Sequence, residues 1–286
     1  MTQPEPRRPV FRDPALQREF DRAGFVVLRA LDGERVARLR ARWSALTPAI
    51  HAWPFSASIL SDDLAYRAAV DEAVGEAFEA VLAETLDGYR FSFGNYVTKR
   101  GSSPGAVGMH QDPSFVDESR YDALNFWTAL SDVGRENGCL RLMPGSHLLN
   151  AKLRGTDRRF PWPELMPLIE ERFLVDVPLA AGEACVCDLR TIHASYPNVT
   201  PHDRVCASAI AVPAESELWY CYQDRAGGGA IDVYRADDEY YRTHVFGSPP
   251  DGLTRIARVP GGADAVTPRR LAEVYANAVA EERAPA

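Results

Sequence analysis

His110 and Asp112 flank Gln111 in the stretch Met109-His110-Gln111-Asp112-Pro113, and a second histidine, His193, lies far downstream in Thr191-Ile192-His193-Ala194-Ser195. Two imidazoles and one carboxylate on one side of a metal are the usual ligands of non-heme Fe(II) oxygenases, and they leave coordination positions open for chemistry. On a strand, residues i and i+2 point to the same face, so His110 and Asp112 can grip one ion while Gln111 turns away. A lone His-x-Asp is more often a hydrogen-bonded pair, so the surrounding chain has to supply the rest of the site. Asp188, shortly before His193, is a competing carboxylate, whereas Cys185 and Cys187 share a strand face and read as small core residues.

Helices precede the pair. Asp13-Pro14 starts one, with Asp as N-cap and Pro at the first helical position, and Gly24 stops it. A short buried strand, Phe25-Val26-Val27-Leu28, follows. Asp32 then caps a second helix, in which Val36, Leu39, Trp43 and Leu46 recur at helical spacing beneath a solvated face of Arg35, Arg38, Arg40 and Arg42. Residues 47–61 form a loop in which Pro48, Trp53, Pro54 and Phe55 either tuck under the loop or line a pocket, and His51 reads as a hydrogen-bonded histidine. One or two amphipathic helices fill residues 62–86, before Gly88.

From Tyr89 the period changes to that of strands. Phe91, Phe93, Tyr96 and Val97 mark one, residues 109–112 another, and residues 121–130 a third with Asn125 and Trp127 on one face. Glu136-Asn137-Gly138 predicts a hairpin with residues 139–143 as the return strand. Residues 148–173 interrupt the strands with a basic loop (Lys152, Arg154, Arg158, Arg159) that suits either solvent or an anion. Strands resume at Val175-Asp176-Val177 and lead to His193 and to Arg204 beyond it. After Pro213, Gly227-Gly228-Gly229 reads as a hinge, residues 237–241 as a helix start, and residues 268–282 as an exposed terminal helix.

The run NFWTAL at 125–130, then ENGCLRLMPGSH at 136–147, placed after MHQD, resembles the phytanoyl-CoA dioxygenase family. The resemblance is strongest over about 96–147 and 182–211. It implies a fold that is mainly β with flanking helices, α+β in class, around a double-stranded β-helix or jelly-roll core. The core then spans about 89–215, with 1–88 as a helical buttress, 216–286 as a C-terminal lid or cap, and all of 1–286 as one oxygenase domain. It implies Fe(II) held by His110, Asp112 and His193, with 2-oxoglutarate and O2 as cosubstrates. Arg204 matches the family arginine that binds the distal carboxylate of 2-oxoglutarate, and Ser195 a serine that supports it. Trp127 lies where the family places an aromatic beside the cosubstrate; Asn125 and Gln111 complete the cosubstrate set. The physical need for Arg204 is plain, since a buried carboxylate is costly unless paired and a guanidinium offers a two-pronged partner.

The implied activity is a dioxygenase, most simply a hydroxylase, that oxidises a small organic substrate, free or carrier-tethered, and releases succinate and CO2. Desaturation, epoxidation and cyclisation share the same oxidant. Halogenation is disfavoured, because related halogenases carry Ala or Gly where this chain has Asp112. A catalytically silent jelly roll that only binds a ligand is the competing class. A net charge of −8 and pI near 5.3 argue against nucleic acid as a partner, and no apolar run approaches a membrane span. Five cysteines without a CxxC pattern, and an N-terminus with Arg7-Arg8 but no apolar core, predict reduced thiols in a cytoplasmic protein. Nothing in the sequence points to a particular oligomeric state.

Overall fold

The computed structural model describes residues 8–46, 53–157, 159–224 and 229–280. His51, Pro48, Arg7, Arg158, Gly227, Gly228 and residues 281–286 lie outside the described residues, so the expectations placed on them have no structural counterpart here.

Helix α1 (Pro14–Ala23) is capped as its sequence dictates: the Asp13 carboxylate accepts from the Ala15 N–H at 2.8 Å, Pro14 opens the helix, and Gly24 closes it in the left-handed conformation. Strand β1 (Phe25–Arg29) leads to α2 (Gly33–Leu46), where Asp32 accepts from the Arg35 N–H. Strand β2 (Phe55–Ala57) precedes α3 (Leu64–Thr85), a single 22-residue helix capped by Asp63. The strands then follow: β3 (Tyr89–Lys99), β4 (Val107–His110), β5 (Leu124–Ala129) and β6 (Leu140–Leu142). Helix α4 (Met166–Arg172) separates these from β7 (Val175–Val177), β8 (Glu183–Asp188), β9 (His193–Ser195) and β10 (Arg204–Pro213).

Two antiparallel sheets result, with strand orders β1-β8-β5-β10-β3-β2 and β4-β9-β6-β7. Strand β10 shows why they stack. All ten of its residues are buried, and alternation sends Arg204, Cys206, Ser208 and Ile210 one way and Val205, Ala207, Ala209 and Ala211 the other. The small outward residues pack with Val26, Phe126 and Val186 against Leu39 of α2 and Val70, Val74 and Phe78 of α3. Of the inward set, Cys206 joins Trp127, Cys185 and Cys187 against Leu140, Leu142 and Val177 of the second sheet. This is the jelly-roll core that the sequence implied, with helices buttressing one face. All five cysteines are buried and unpaired.

Three expectations need correction. Glu136-Asn137-Gly138 does not turn a hairpin. Both edges of β5 are already taken by β8 and β10, so the 3-10 turn at Arg135–Asn137 instead passes the chain across to β6 in the other sheet. Gly138, at φ +91°, makes that exit possible, and a Cβ there would also lie 2.8 Å from the Lys99 stem. Strand β4 ends at His110, so Asp112 sits beyond it. The terminal helix α6 (Pro268–Val279) is not an exposed cap. Leu271, Val274 and Ala278 repeat on one face and are buried, and the first two pack with Met143, Trp162 and Ile192.

After β10, strands β11 (Leu218–Tyr222), β12 (Ile231–Ala236) and β13 (Arg255–Val259) form a third, three-stranded sheet. Helix α5 (Asp238–Thr243), capped by Asp237 as expected, follows β12. Its Tyr241 stacks on Phe93 with ring centroids 4.6 Å apart, which ties this region to the core strands.

Candidate metal and cosubstrate site

Strands β4 and β9 pair antiparallel with His110 directly opposite His193, so register alone sets the two rings side by side, 4.1 Å between centroids. Each ring is turned by a backbone carbonyl two residues earlier. His110 Nδ1 lies 2.8 Å from the Gly108 carbonyl and His193 Nδ1 lies 3.0 Å from that of Thr191. With the Nδ1 proton donated to a carbonyl, the Nε2 lone pair is the metal-binding one. The two Nε2 atoms sit 3.8 and 3.9 Å from Asp112 Oδ1. A ligand triangle of that size has its centre roughly 2–2.5 Å from each corner, close to the distances at which such donors bind a divalent metal. These three residues alone form a potential metal-holding group among the described residues.

Asp112 is held from several directions. Its N–H donates to the Leu189 carbonyl at 2.9 Å, and its own carbonyl accepts from Arg154 Nε at 2.7 Å. Arg154 in turn grips Glu118 with two bonds of 2.8 and 2.6 Å, and Ser114 donates to the same carboxylate. Arg154 and Glu118 side chains are 9% and 3% exposed, so this is a buried ion pair bracing the loop that carries Asp112. On the other side, Asn125 Nδ2 reaches Asp112 Oδ2 at 3.5 Å while Ser208 donates to Asn125 Oδ1 at 2.8 Å. The sequence reading missed Glu118, Ser114 and Ser208, and it placed Arg154 only in a basic loop. No local pattern marks them, because each acts through residues distant in the chain.

One cavity collects most of the sequence-predicted set: His110, Asp112, His193, Asn125, Trp127, Ser195 and Arg204 all line it. Arg204 is 1% exposed. Its guanidinium lies over the Trp127 ring, 5.0 Å from the centroid, and Nη1 makes long contacts to Cys206 Sγ (3.2 Å) and the Val97 carbonyl (3.4 Å). Its Nε has no partner. A buried cation left with an unmet donor is costly, and a ligand carboxylate meets that need. The donor set fits Fe(II), and the under-satisfied guanidinium fits a dicarboxylate cosubstrate.

Gln111 is a correction to the cosubstrate set. It does not line this cavity: alternation past His110 turns it the other way, its Nε2 donates to the Arg190 carbonyl, and it borders a separate cavity. Asp188 does not compete for metal. Although burial raises its pKa, Arg190 outweighs that through two bonds to the carboxylate and holds the group down at about 2. His147 is buried, with Nε2 against the Asp21 carbonyl, and burial lowers its pKa.

Away from the metal end the wall is apolar: Phe55, Ala57, Ile59 and Leu60 from the 47–61 region meet Phe93, Phe115, Ile210 and Phe246. Trp53, by contrast, is 70% exposed. Among its described residues the 148–173 insert lines none of the cavity; its Arg154 and Arg159 are spent on Glu118 and Asp157.

The phytanoyl-CoA dioxygenase (PhyH) family model matches residues 20–206, a span that includes all three proposed ligands and Arg204. Among curated proteins, the chain is 31% identical over 127 residues to the phytanoyl-CoA dioxygenase of Arabidopsis thaliana, covering 43% of this chain and 44% of that protein. It is 30% identical over 128 residues to phytanoyl-CoA dioxygenase 1 of Oryza sativa subsp. japonica, covering 43% and 45%. The match thus spans less than half the length of these curated relatives. Among solved structures, the non-heme alpha-ketoglutarate-dependent epimerase SnoN from nogalamycin biosynthesis superposes with a TM-score of 0.53 at 24% identity, covering 87% of this chain and 97% of that one. EctD from S. alaskensis, solved with 2-oxoglutarate and 5-hydroxyectoine, gives 0.52 at 21%, covering 72% and 78%. Those two likenesses establish the fold. With a family model covering well over half of its residues, the chain belongs to the phytanoyl-CoA dioxygenase family.

Proposed function

We propose that this protein is a non-heme Fe(II)- and 2-oxoglutarate-dependent dioxygenase that hydroxylates a small organic substrate and releases succinate and CO2. One observation carries the reading: the His110–Asp112–His193 cluster and the under-satisfied, buried Arg204 open into the same cavity. Fe(II), bound with 2-oxoglutarate and O2, supplies the oxidising power.

The chain's own residues hold and orient. His110, Asp112 and His193 bind the metal through atoms pre-aimed by the Gly108 and Thr191 carbonyls and the Arg154 bond. Arg204 and Ser195 take the distal carboxylate of 2-oxoglutarate, with the Trp127 ring beneath the guanidinium and Asn125 beside Asp112. Because Asp112 occupies the carboxylate position, a halide has no vacant ligand site, and oxygen chemistry is favoured over halogenation.

The apolar wall of Phe55, Ile59, Leu60, Phe93, Phe115, Ile210 and Phe246 suits an uncharged, apolar substrate portion, free or carrier-tethered. In the same reading the chain is one oxygenase domain. Its segment after residue 215 closes over the cavity, where the Phe246 N–H donates to the Ile59 carbonyl at 3.3 Å. SnoN is an epimerase and the similarly folded SnoK a carbocyclase, so the outcome on this scaffold depends on how the substrate is placed.

The test is an Fe(II)-loaded sample given 2-oxoglutarate and O2 across a panel of apolar small molecules, with succinate release as readout. Substrate-stimulated succinate is expected. An iron-loaded sample that binds a panel member tightly yet never forms succinate would establish a silent binding protein instead.

A further inference from the structure

Lys99 is a second buried cation, next to Arg204 but behind the cavity wall rather than lining it. It is 0% exposed and pairs in register with Arg204 across β3 and β10, so the two side chains leave the sheet on the same face. Its Nζ donates to the backbone carbonyls of Tyr196 and, at 3.4 Å, of Ser195, the last residue of β9. Among the described residues neither Lys99 nor Arg204 is ion-paired with a carboxylate. The titratable groups that face Lys99 are Arg204 and Cys206 from β10 and Cys139 from the turn before β6. Burial raises both thiols, so they stay neutral and supply no counter-charge. The space for the lysine stem exists because Gly138 has no Cβ.

Two buried cations side by side without an anion are unstable, and the chain has two ways out. Either Lys99 gives up its proton, or an anion arrives. We propose that both occur in turn: Lys99 is an adjustable second cation beneath Arg204 that takes up a proton from solvent when the distal carboxylate of 2-oxoglutarate binds. Arg204 cannot play this part, since a guanidinium does not deprotonate in proteins. The inference rests on the cosubstrate reading given above and adds a pH dependence to it. In the empty cavity, burial first and Arg204 second bring Lys99 down to about 7. A carboxylate held by Arg204 raises that value through space, so binding takes up a proton at pH above 7 and its strength falls as pH rises through that range.

The experiment is calorimetric titration of 2-oxoglutarate into Mn(II)-loaded protein under anaerobic conditions, from pH 6.5 to 8.5, in buffers of different ionisation enthalpy. Wild type should take up about one proton per cosubstrate at pH 8 and lose roughly twentyfold in affinity between pH 6.5 and 8.5. Lys99→Arg, permanently charged, should bind with little pH dependence and no proton uptake. Lys99→Met, uncharged at every pH, should lose on the order of a hundredfold in affinity at pH 6.5 and also lose the pH dependence. Wild-type binding with no proton uptake and a flat pH profile overturns the inference, and so does a Lys99→Arg that keeps the full wild-type pH dependence. If Lys99→Met does not fold, wild type and Lys99→Arg decide. No binding of 2-oxoglutarate by wild type at any pH overturns the cosubstrate assignment itself.

Discussion

Replacing Arg154 by Met separates the two tasks of the brace behind Asp112. The guanidinium makes two bonds to Glu118 at 2.6 and 2.8 Å and one to the Asp112 carbonyl at 2.7 Å, all nearly out of water. Arg154→Met leaves the Glu118 carboxylate buried without the guanidinium that faces it, which costs about 3–5 kcal/mol. For a chain of this size that lowers Tm by roughly 6–15 °C. The double variant Arg154→Met/Glu118→Leu removes both charges and should recover most of that stability, because an apolar pair of similar volume is often neutral relative to a buried ion pair. It does not restore the donor to the Asp112 carbonyl. Both variants should therefore bind Mn(II) about 10–100-fold more weakly, the range seen when the groups that orient metal ligands are lost. Thermal unfolding followed by circular dichroism reads the first quantity, and Mn(II) titration read by electron paramagnetic resonance reads the second. A single variant that loses less than about 1 kcal/mol, or a double variant with wild-type Mn(II) affinity, refutes the reasoning.

His110→Ala should abolish Fe(II) binding and turnover together; retained turnover shows that another residue is the ligand. Arg204→Ala should raise the KM for 2-oxoglutarate at least tenfold while Gln111→Ala leaves it within about twofold, since only Arg204 lines the cavity. Equal effects from the two substitutions would undo the correction made for Gln111. Asp188, held at about 2 against an unfolded value near 4, contributes stability that is complete above pH 4 and lost as pH falls toward 2. Asp188→Asn should thus destabilise the protein at pH 7, on the order of 2 kcal/mol, with the difference from wild type vanishing near pH 2 in urea titrations. A difference that persists undiminished at pH 2 would rule out the ion pair with Arg190 as its source.

Local rules carried much of the architecture. The caps at Asp13, Asp32, Asp63 and Asp237 act on hydrogen bonds within one turn, so the residues that make them are neighbours in the chain. Where a local signal failed, a long-range constraint had taken over. The glycine turn at 136–138 has hairpin chemistry, yet the edges of β5 were already occupied. The apolar stripe of α6 is visible in the sequence, but its cover comes from Met143 and Ile192, on segments far upstream. The basic insert advertised an anion site, yet its Arg154 is absorbed by Glu118, which lies elsewhere in the chain.

For the site, the sequence by itself determined the chemical inventory: two histidines, an aspartate, a serine and an arginine, in an order that marks the family. The pairing of His110 with His193 comes from strand register, and the burial of Arg204 from two sheets closing over it. The placing of Lys99 opposite Arg204 likewise depends on strands that meet only when the jelly roll forms. Only the tertiary structure decided these, and it also turned Gln111 out of the cosubstrate set. The reason is physical. Residue types and short spacings set what a side chain can do, whereas charge burial, unmet hydrogen bonds and shared cavities arise between segments that the chain order keeps apart.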